Sequence, residues 1–264
     1  MSRATSIPVI DAHIHLDLYE ADEQEAILTS LVNENIAGLI SVSVNLDSCQ
    51  KQLQLKQRAP QHVYPAFGYH PEQEVPNEEA LQQLTSWIRQ HQNEMVAIGE
   101  VGLPYYRRKE HEKSGEAFDL QPYIQLLRHF VNLAVELDKP VVLHAIYEDA
   151  DLACDILEEC GATKAHFHWF RGRKDTLARM KKAGYYISIT PDILQEAEVE
   201  AIARVYPLEL MMVETDGPWK FTDEMTHPSH IRQSIERIAD LKHRSVSQTA
   251  QTLLENTRRF YRLP

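Results

Sequence analysis

Two histidines two residues apart, His13 and His15, follow a short apolar run of Ile7, Val9 and Ile10. If the run is a strand, side chains two apart point the same way, so both imidazoles face one side. A pair of neutral imidazoles suits a borderline divalent cation and is costly to hold together when protonated. A lone His-x-His can equally be a polar strand end facing water. Further along, Asn45, His70, Glu100, His144, His168 and Asp216 each follow another short apolar run. Four of these histidines (His13, His15, His144, His168) and the two carboxylates, gathered at one place without partners, would be a poorly satisfied polar cluster. Two divalent cations would satisfy it: zinc, manganese, magnesium, nickel or iron all accept imidazole and carboxylate ligands. Glu100, flanked by Gly99 and Gly102, is the natural bridge between them.

The elements that must position these residues read as eight strands alternating with helices. The strands are expected at Val9–Ile10, Leu39–Val44, Val63–Phe67, Met95–Gly99, Val141–Leu143, Ala165–Phe167, Tyr185–Ile189 and Leu208–Val213. Helices are expected over Glu20–Asn35, Ser48–Arg58 (capped by Asp47), Asn77–Asn93, Leu120–Leu137, Asp149–Cys160, Lys174–Ala183 and Val199–Val205, with two more in the tail. The segment Val101–Glu116, with its glycine, proline, tyrosines and basic cluster, reads as a long loop. Right-handed crossovers would close such a chain into an α/β fold, a parallel (β/α)8 TIM barrel. In that fold the C-terminal strand ends converge on the face that carries active sites, and every candidate ligand follows such an end. A single domain over residues 1–264 fits the usual size of the fold.

Composition narrows the function classes. The net charge of −12 argues against a broad electrostatic grip on nucleic acid, although bound cations would leave the site itself far less negative. Cys49, Cys154 and Cys160 form no CxxC spacing, and the latter two pack more readily than they react. Met1 to Pro8 lacks the features of a signal peptide, and no apolar run approaches the ~20 residues of a membrane span. A cytoplasmic protein with no membrane partner is the expectation. A G-x-S-x-G elbow and a phosphate-binding glycine loop are both absent, which removes serine hydrolases and nucleotide folds.

The motifs D-A-H-I-H (11–15), G-Y-H-P (68–71), G-E-V-G-L (99–103), K-P-V-V-L-H (139–144), H-W-F-R-G (168–172), E-T-D-G-P (214–218) and N-T-R-R-F (256–260) occur in order along the chain. Together they resemble the TatD-like metal-dependent hydrolases of the amidohydrolase superfamily, whose known activity is deoxyribonuclease. The resemblance implies that His13, His15 and Asp216 bind one metal and that Glu100 bridges to a second held by His144 and His168. It makes His166 an interior barrel histidine, His70 a substrate-side donor to a phosphate oxygen, and Asp216 the base that moves the water's proton. The expected reaction is cleavage of a phosphodiester, with DNA as substrate only.

Three departures bear on the substrate. The family usually follows G-E-x-G-L with Asp, where this chain has Pro104. It usually has Arg two residues after the fifth-strand histidine, where this chain has Ile146. The basic loop after E-T-D-G-P is replaced by a short Trp219–Ser229 segment. Arg107, backed by Arg108 and Lys109, is the candidate to replace the lost charge, with Arg171 and Lys220 on other mouth loops. A hydrolase of a small amide, lactone or ester is the competing enzyme reading, and a non-catalytic metal-binding barrel is the competing non-enzyme reading.

Overall fold

A computed structural model describes residues 7–221 and 225–264. The reading of the first residues as lacking a leader falls mostly on 1–6, and part of the segment after E-T-D-G-P falls on 222–224; both lie outside the described residues. Among those described, eight parallel strands pair in sequence order. They are β1 (Val9–Ile14), β2 (Ile36–Val42), β3 (Val63–Phe67), β4 (Ala97–Gly102), β5 (Val141–His144), β6 (Ala165–Phe167), β7 (Tyr186–Ile189) and β8 (Met211–Val213).

Helices alternate with the strands: α1 (Ala21–Ser30), α2 (Leu46–Arg58), α3 (Glu78–Gln90), α4 (Tyr105–Ser114), α5 (Gln121–Glu136), α6 (Glu148–Glu159), α7 (Lys174–Ala183) and α8 (Ala197–Val205), then α9 (Ile231–Lys242) and α10 (Val246–Tyr261). Apart from α4, their apolar faces pack into the core, as with Tyr123, Leu126, Leu127 and Phe130 of α5. Ile10, Ala12, Ile40, Val42, Ala66, Ala97, Val142 and Met212, which alternate with outward-facing neighbours on β1 to β5 and β8, join α10's Leu254, Phe260 and Tyr261 in a second apolar cluster.

The seam between β1 and β8 is closed by residues just past the strand ends. Asp216 N donates to His13 O (3.0 Å) and His15 N donates to Gly217 O (2.7 Å). The Asp11 carboxylate adds to this closure by accepting from Thr215 N (3.0 Å) and Thr215 Oγ1 (2.5 Å). The same hydrogen bonds that complete the barrel therefore place the two ends of the His-x-His and E-T-D-G-P motifs side by side. On the opposite side, β4 and β5 approach so closely at Gly102 that a Cβ there would lie 1.9 Å from His144 O. Only glycine fits that contact, and it brings Glu100 and His144 together.

Several boundaries differ from the sequence reading (β1 runs on to Ile14, β2 spans Ile36–Val42 and α1 stops at Ser30), and four differences have a local reason. The expected loop at Val101–Glu116 contains α4, ended by Gly115 at φ 76°. No residue of α4 is buried, so it has no apolar periodicity to betray it. Asn45, not Asp47, caps α2: Asn45 Oδ1 accepts from Ser48 N (3.0 Å), while Asp47 pairs with Lys51 one turn on. β4 runs on through Glu100, so this residue sits inside a strand rather than beyond it. β8 is shorter than expected because Leu208–Leu210 turns as a 3-10 helix before it.

The N-T-R-R-F motif proves to be a clamp on that turn. Asn256 is buried and its Nδ2 donates to Leu208 O (2.7 Å) and Met211 O (2.8 Å). Replacing Asn256 by Ala removes the donor from both carbonyls, at about 1–3 kcal/mol each, so a loss of roughly 2–6 kcal/mol is expected. Urea unfolding monitored by circular dichroism checks this, and a change inside the error of the fit would dismiss the clamp.

Candidate metal centre at the barrel mouth

His13 lies in β1 and His15 caps the 3-10 turn after it, with Glu100 in β4, His144 ending β5, His168 just past β6 and Asp216 in the segment that closes the seam. All six are buried. Their side chains converge as two sets that share one carboxylate.

In the first set, His13 Nε2 lies 3.4 Å from His15 Nε2, 3.2 Å from Glu100 Oε2 and 3.3 Å from Asp216 Oδ1. His15 Nε2 lies 3.2 Å from the same Glu100 oxygen and 3.6 Å from the same Asp216 oxygen. Four atoms at ~2.0–2.1 Å from one ion in a tetrahedron stand about 3.3–3.4 Å apart, which is the spacing these atoms have. Glu100 Oε2 is buried yet has no aligned hydrogen bond, although two ring nitrogens are so close. The four atoms are crowded at ion-ligand spacing with no donor aligned on that oxygen. The residues fit a cation.

In the second set, Glu100 Oε1 faces His168 Nε2 at 2.7 Å and His144 Nδ1 at 2.9 Å, and those two nitrogens are 3.2 Å apart. The rings of His13 and His168 stack at 3.9 Å between centroids, so the two sets abut. His70 Nε2 also reaches Glu100 Oε1, at 3.3 Å, and with Glu100 and His144 it forms a third possible ligand trio. His70 Nδ1, however, accepts a hydrogen bond from Glu72 N at 3.2 Å. In a neutral ring this leaves the hydrogen on Nε2, which makes His70 a donor into the site rather than a ligand.

The electrostatics say the same. Burial opposes charge on Glu100, but His168, His70 and His13 outweigh it and hold the carboxyl well below its ordinary range. Burial and the neighbouring His168 push the His13 imidazole down, yet Glu100 and Asp216 raise it to about 9. Burial likewise disfavours charge on His168 and His144, and Glu100 again raises both. A cluster that draws protons onto its imidazoles in this way is short of positive charge, and a cation supplies it. Burial dominates at His70 and keeps it below its usual value, as befits a neutral donor.

Asn45, expected among the mouth residues, instead caps α2 and donates to Gln73 Oε1 (3.4 Å). Most of the basic cluster is already paired. Arg108 meets Asp149 and Glu148, Lys109 meets Glu112 and Glu148, and Arg171 meets Asp192 and Glu196. Among the described residues, the guanidinium of Arg107 makes only a loose 3.9 Å ion pair, with exposed Glu74, so it is the least committed of the four. His166 lies in the interior, as read from sequence, held by Tyr261 Oη (2.7 Å) and Ser188 Oγ (2.6 Å).

Three carboxylates escaped the sequence reading. Glu214 accepts from Trp169 N (2.7 Å) and Ser188 Oγ (2.5 Å) and faces His168 Nδ1 at 3.7 Å. Asp11 braces the seam, and Glu72 reaches His144 Nε2 at 3.3 Å. Asp11 and Glu214 stand inside quoted motifs, and Glu72 stands two residues past His70; a carboxylate two residues from a candidate site residue was the available signal.

A model of the TatD-related DNase family matches residues 10–262. An uncharacterized metal-dependent hydrolase of Haemophilus influenzae is 35% identical over 257 residues, 97% of this chain and all of that protein. The human deoxyribonuclease TATDN3 is 28% identical over 269 residues, 98% of this chain and 96% of its own. Among solved structures, the TatD homologue YjjV of Escherichia coli superposes with a TM-score of 0.82 at 22% identity, covering 97% of this chain and 98% of that one.

Because a divalent cation must displace the proton that His13 carries below about 9, binding releases protons at pH 7. The apparent affinity is expected to rise roughly tenfold or more per pH unit toward about 9 and to flatten above it. Titration calorimetry in two buffers of different ionisation enthalpy reads the protons directly. No release at pH 7 would mean that the ion binds elsewhere.

Proposed function

The chain belongs to the TatD-related DNase family, and from that premise we propose that this metal-dependent hydrolase cleaves phosphodiester bonds, with DNA as a substrate. The observation that carries the reading is the division of one buried carboxylate between two ligand sets, one Glu100 oxygen facing each. His13, His15, Asp216 and Glu100 would hold the first ion, and Glu100, His144 and His168 would hold the second. A pair of divalent cations, when bound, supplies Lewis acidity toward a phosphoryl oxygen and lowers the pKa of water.

The chain's own groups do the rest. Asp216 sits at φ 55°, with its backbone N–H fixed by His13 O and its Oδ1 against the imidazoles. Burial opposes its charge, but His13 and His168 keep the carboxyl below its ordinary value, so it is ionised and able to accept a proton at neutral pH. Asp216 takes the proton from the attacking water at Oδ2 and returns it to the leaving oxygen. His70 Nε2–H donates to a non-bridging phosphoryl oxygen, and the Arg107 guanidinium meets the remaining charge.

A second reading, hydrolysis of a small amide, lactone or ester, is favoured by one feature. The position where relatives carry Arg is Ile146, which is buried, while Trp219 is 56% exposed at the same mouth. A metal-binding barrel without catalysis accounts less well for a base beside an open donor. One domain carries the whole site. The three cysteines are free, in keeping with a reduced cytoplasm, and among the described residues no helix is long and apolar enough to cross a membrane.

Metal-loaded protein is expected to cleave bis-p-nitrophenyl phosphate and short single-stranded DNA, and Asp216→Asn to lower kcat by about 10²–10⁴-fold. Turnover of a lactone panel alone would favour the second reading. Metal content without turnover of any of these would favour the third, and an Asp216→Asn variant with full activity would remove the assigned base.

A further inference from the structure

Glu72 joins two structures that share no sequence motif. Its Oε1 accepts from Tyr106 N and its Oε2 from Arg107 N, each at 2.8 Å. These are amides of the first turn of α4, which otherwise lack an acceptor. The cap position is Pro104, which has no side-chain group to serve them. A carboxylate brought from the loop after β3 replaces the missing cap and meets the positive end of the helix.

The same Oε1 lies 3.3 Å from His144 Nε2. His144 turns its Nδ1 toward Glu100 and His168, so Nε2 is the nitrogen left to carry the ring's hydrogen. That nitrogen is buried and has no aligned hydrogen bond, and the Glu72 oxygen is the acceptor the geometry offers it. A ligand imidazole is generally steadied by a carboxylate on its other nitrogen, which selects the tautomer and the ring orientation.

We propose that Glu72 is a positioning residue that couples ion binding at the second ligand set to the order of α4. The inference rests on the reading that His144 and Glu100 hold an ion. With no buried residue of its own, α4 cannot be held by an apolar face. It is anchored by Glu72 and by the ion pairs of Arg108 and Lys109 with α6. An ion on Nδ1 fixes the His144 ring and its Nε2 hydrogen, which fixes the Glu72 carboxylate and thus the two amides it accepts from. By linkage, an ordered α4 strengthens ion binding by the same factor. The helix also carries Tyr106, 41% exposed with its ring 6.1 Å from that of His144, so the coupling sets a wall of the substrate mouth.

Chelator-stripped protein titrated with zinc, followed by calorimetry and by hydrogen exchange of residues 105–114, tests this. In the unmodified chain two ions bind, and the Tyr106 and Arg107 amides gain roughly 5–150-fold protection with the second. In Glu72→Gln the first ion binds as before, the second is weakened about 10–100-fold, and the gain in protection is lost. Glu74→Gln, a neighbouring carboxylate that is exposed, changes neither.

Two ions bound by Glu72→Gln at unmodified affinity, or a protection gain that survives, would overturn the coupling. So would loss of both ions in Glu72→Gln and Glu72→Asp alike together with a lower melting temperature of the metal-free protein, which would make the role one of folding alone. If the unmodified chain takes no second ion, the failure lies in the two-ion reading beneath.

Discussion

A fully buried carboxylate, Glu100, dictates what the rest of the barrel mouth must provide. An ionised carboxylate taken out of water carries a large desolvation cost unless positive charge or good donors meet both oxygens. Here imidazoles meet both, His13 and His15 on one oxygen and His144, His168 and His70 on the other. Neutral imidazoles satisfy it only in part, which is why protons accumulate on His13, His144 and His168. Protons and divalent cations compete for the same lone pairs, so the clustering that would be costly in a metal-free protein is what makes the site bind an ion strongly. The barrel tolerates the charge because its occupant is part of the design.

That constraint reaches back into the closure of the fold. His13 and Asp216 must be neighbours, and the hydrogen bonds that make them so are the ones that close β1 onto the chain after β8. Asp11 reinforces the seam from below, and burial raises its carboxyl to about 7 against the hydrogen bonds from Thr215. A group so placed is neutral for part of the physiological range, which lessens the repulsion between it and the anionic residues above. Gly102 serves the other side by allowing β5 to approach within contact of the β4 backbone. The site is thus held by backbone contacts at the seam and at Gly102, with the Asp11 carboxylate as a side-chain brace.

The eight strands and the six converging residues were legible because both rest on local patterns. Short apolar runs announce the strands, and a polar residue after each run is visible without knowing the fold. What was not legible depended on contacts far apart in the chain. α4 has no apolar face, and its cap comes from Glu72, more than thirty residues earlier in sequence. The choice of Asn45 over Asp47 as a cap goes with the end of β2 at Val42, two residues before the Val44 expected from sequence. That His70 Nδ1 accepts from Glu72 N, leaving Nε2 to carry the hydrogen in a neutral ring, was not legible either, since no sequence pattern encodes a tautomer.

The charges around the mouth bear on how an acidic protein would meet the anionic substrate proposed for it. With a net charge of −12, long-range attraction for a polyanion is absent, so binding must rest on the ions and a few local donors. Arg108, Lys109 and Arg171 are neutralised by partners on α4, α6 and the segment before α8, so they shape the rim without offering free charge. Glu72 adds a negative charge beside His144, where a polyanion would feel it, and Ile146 adds none. A long duplex needs many phosphate contacts at once, whereas a single phosphodiester at a flexible end needs only those within reach of His70 and Arg107. Under the proposed function, this distribution of charge suits a substrate that presents one phosphodiester to the ligand cluster and little further anionic charge to the rim.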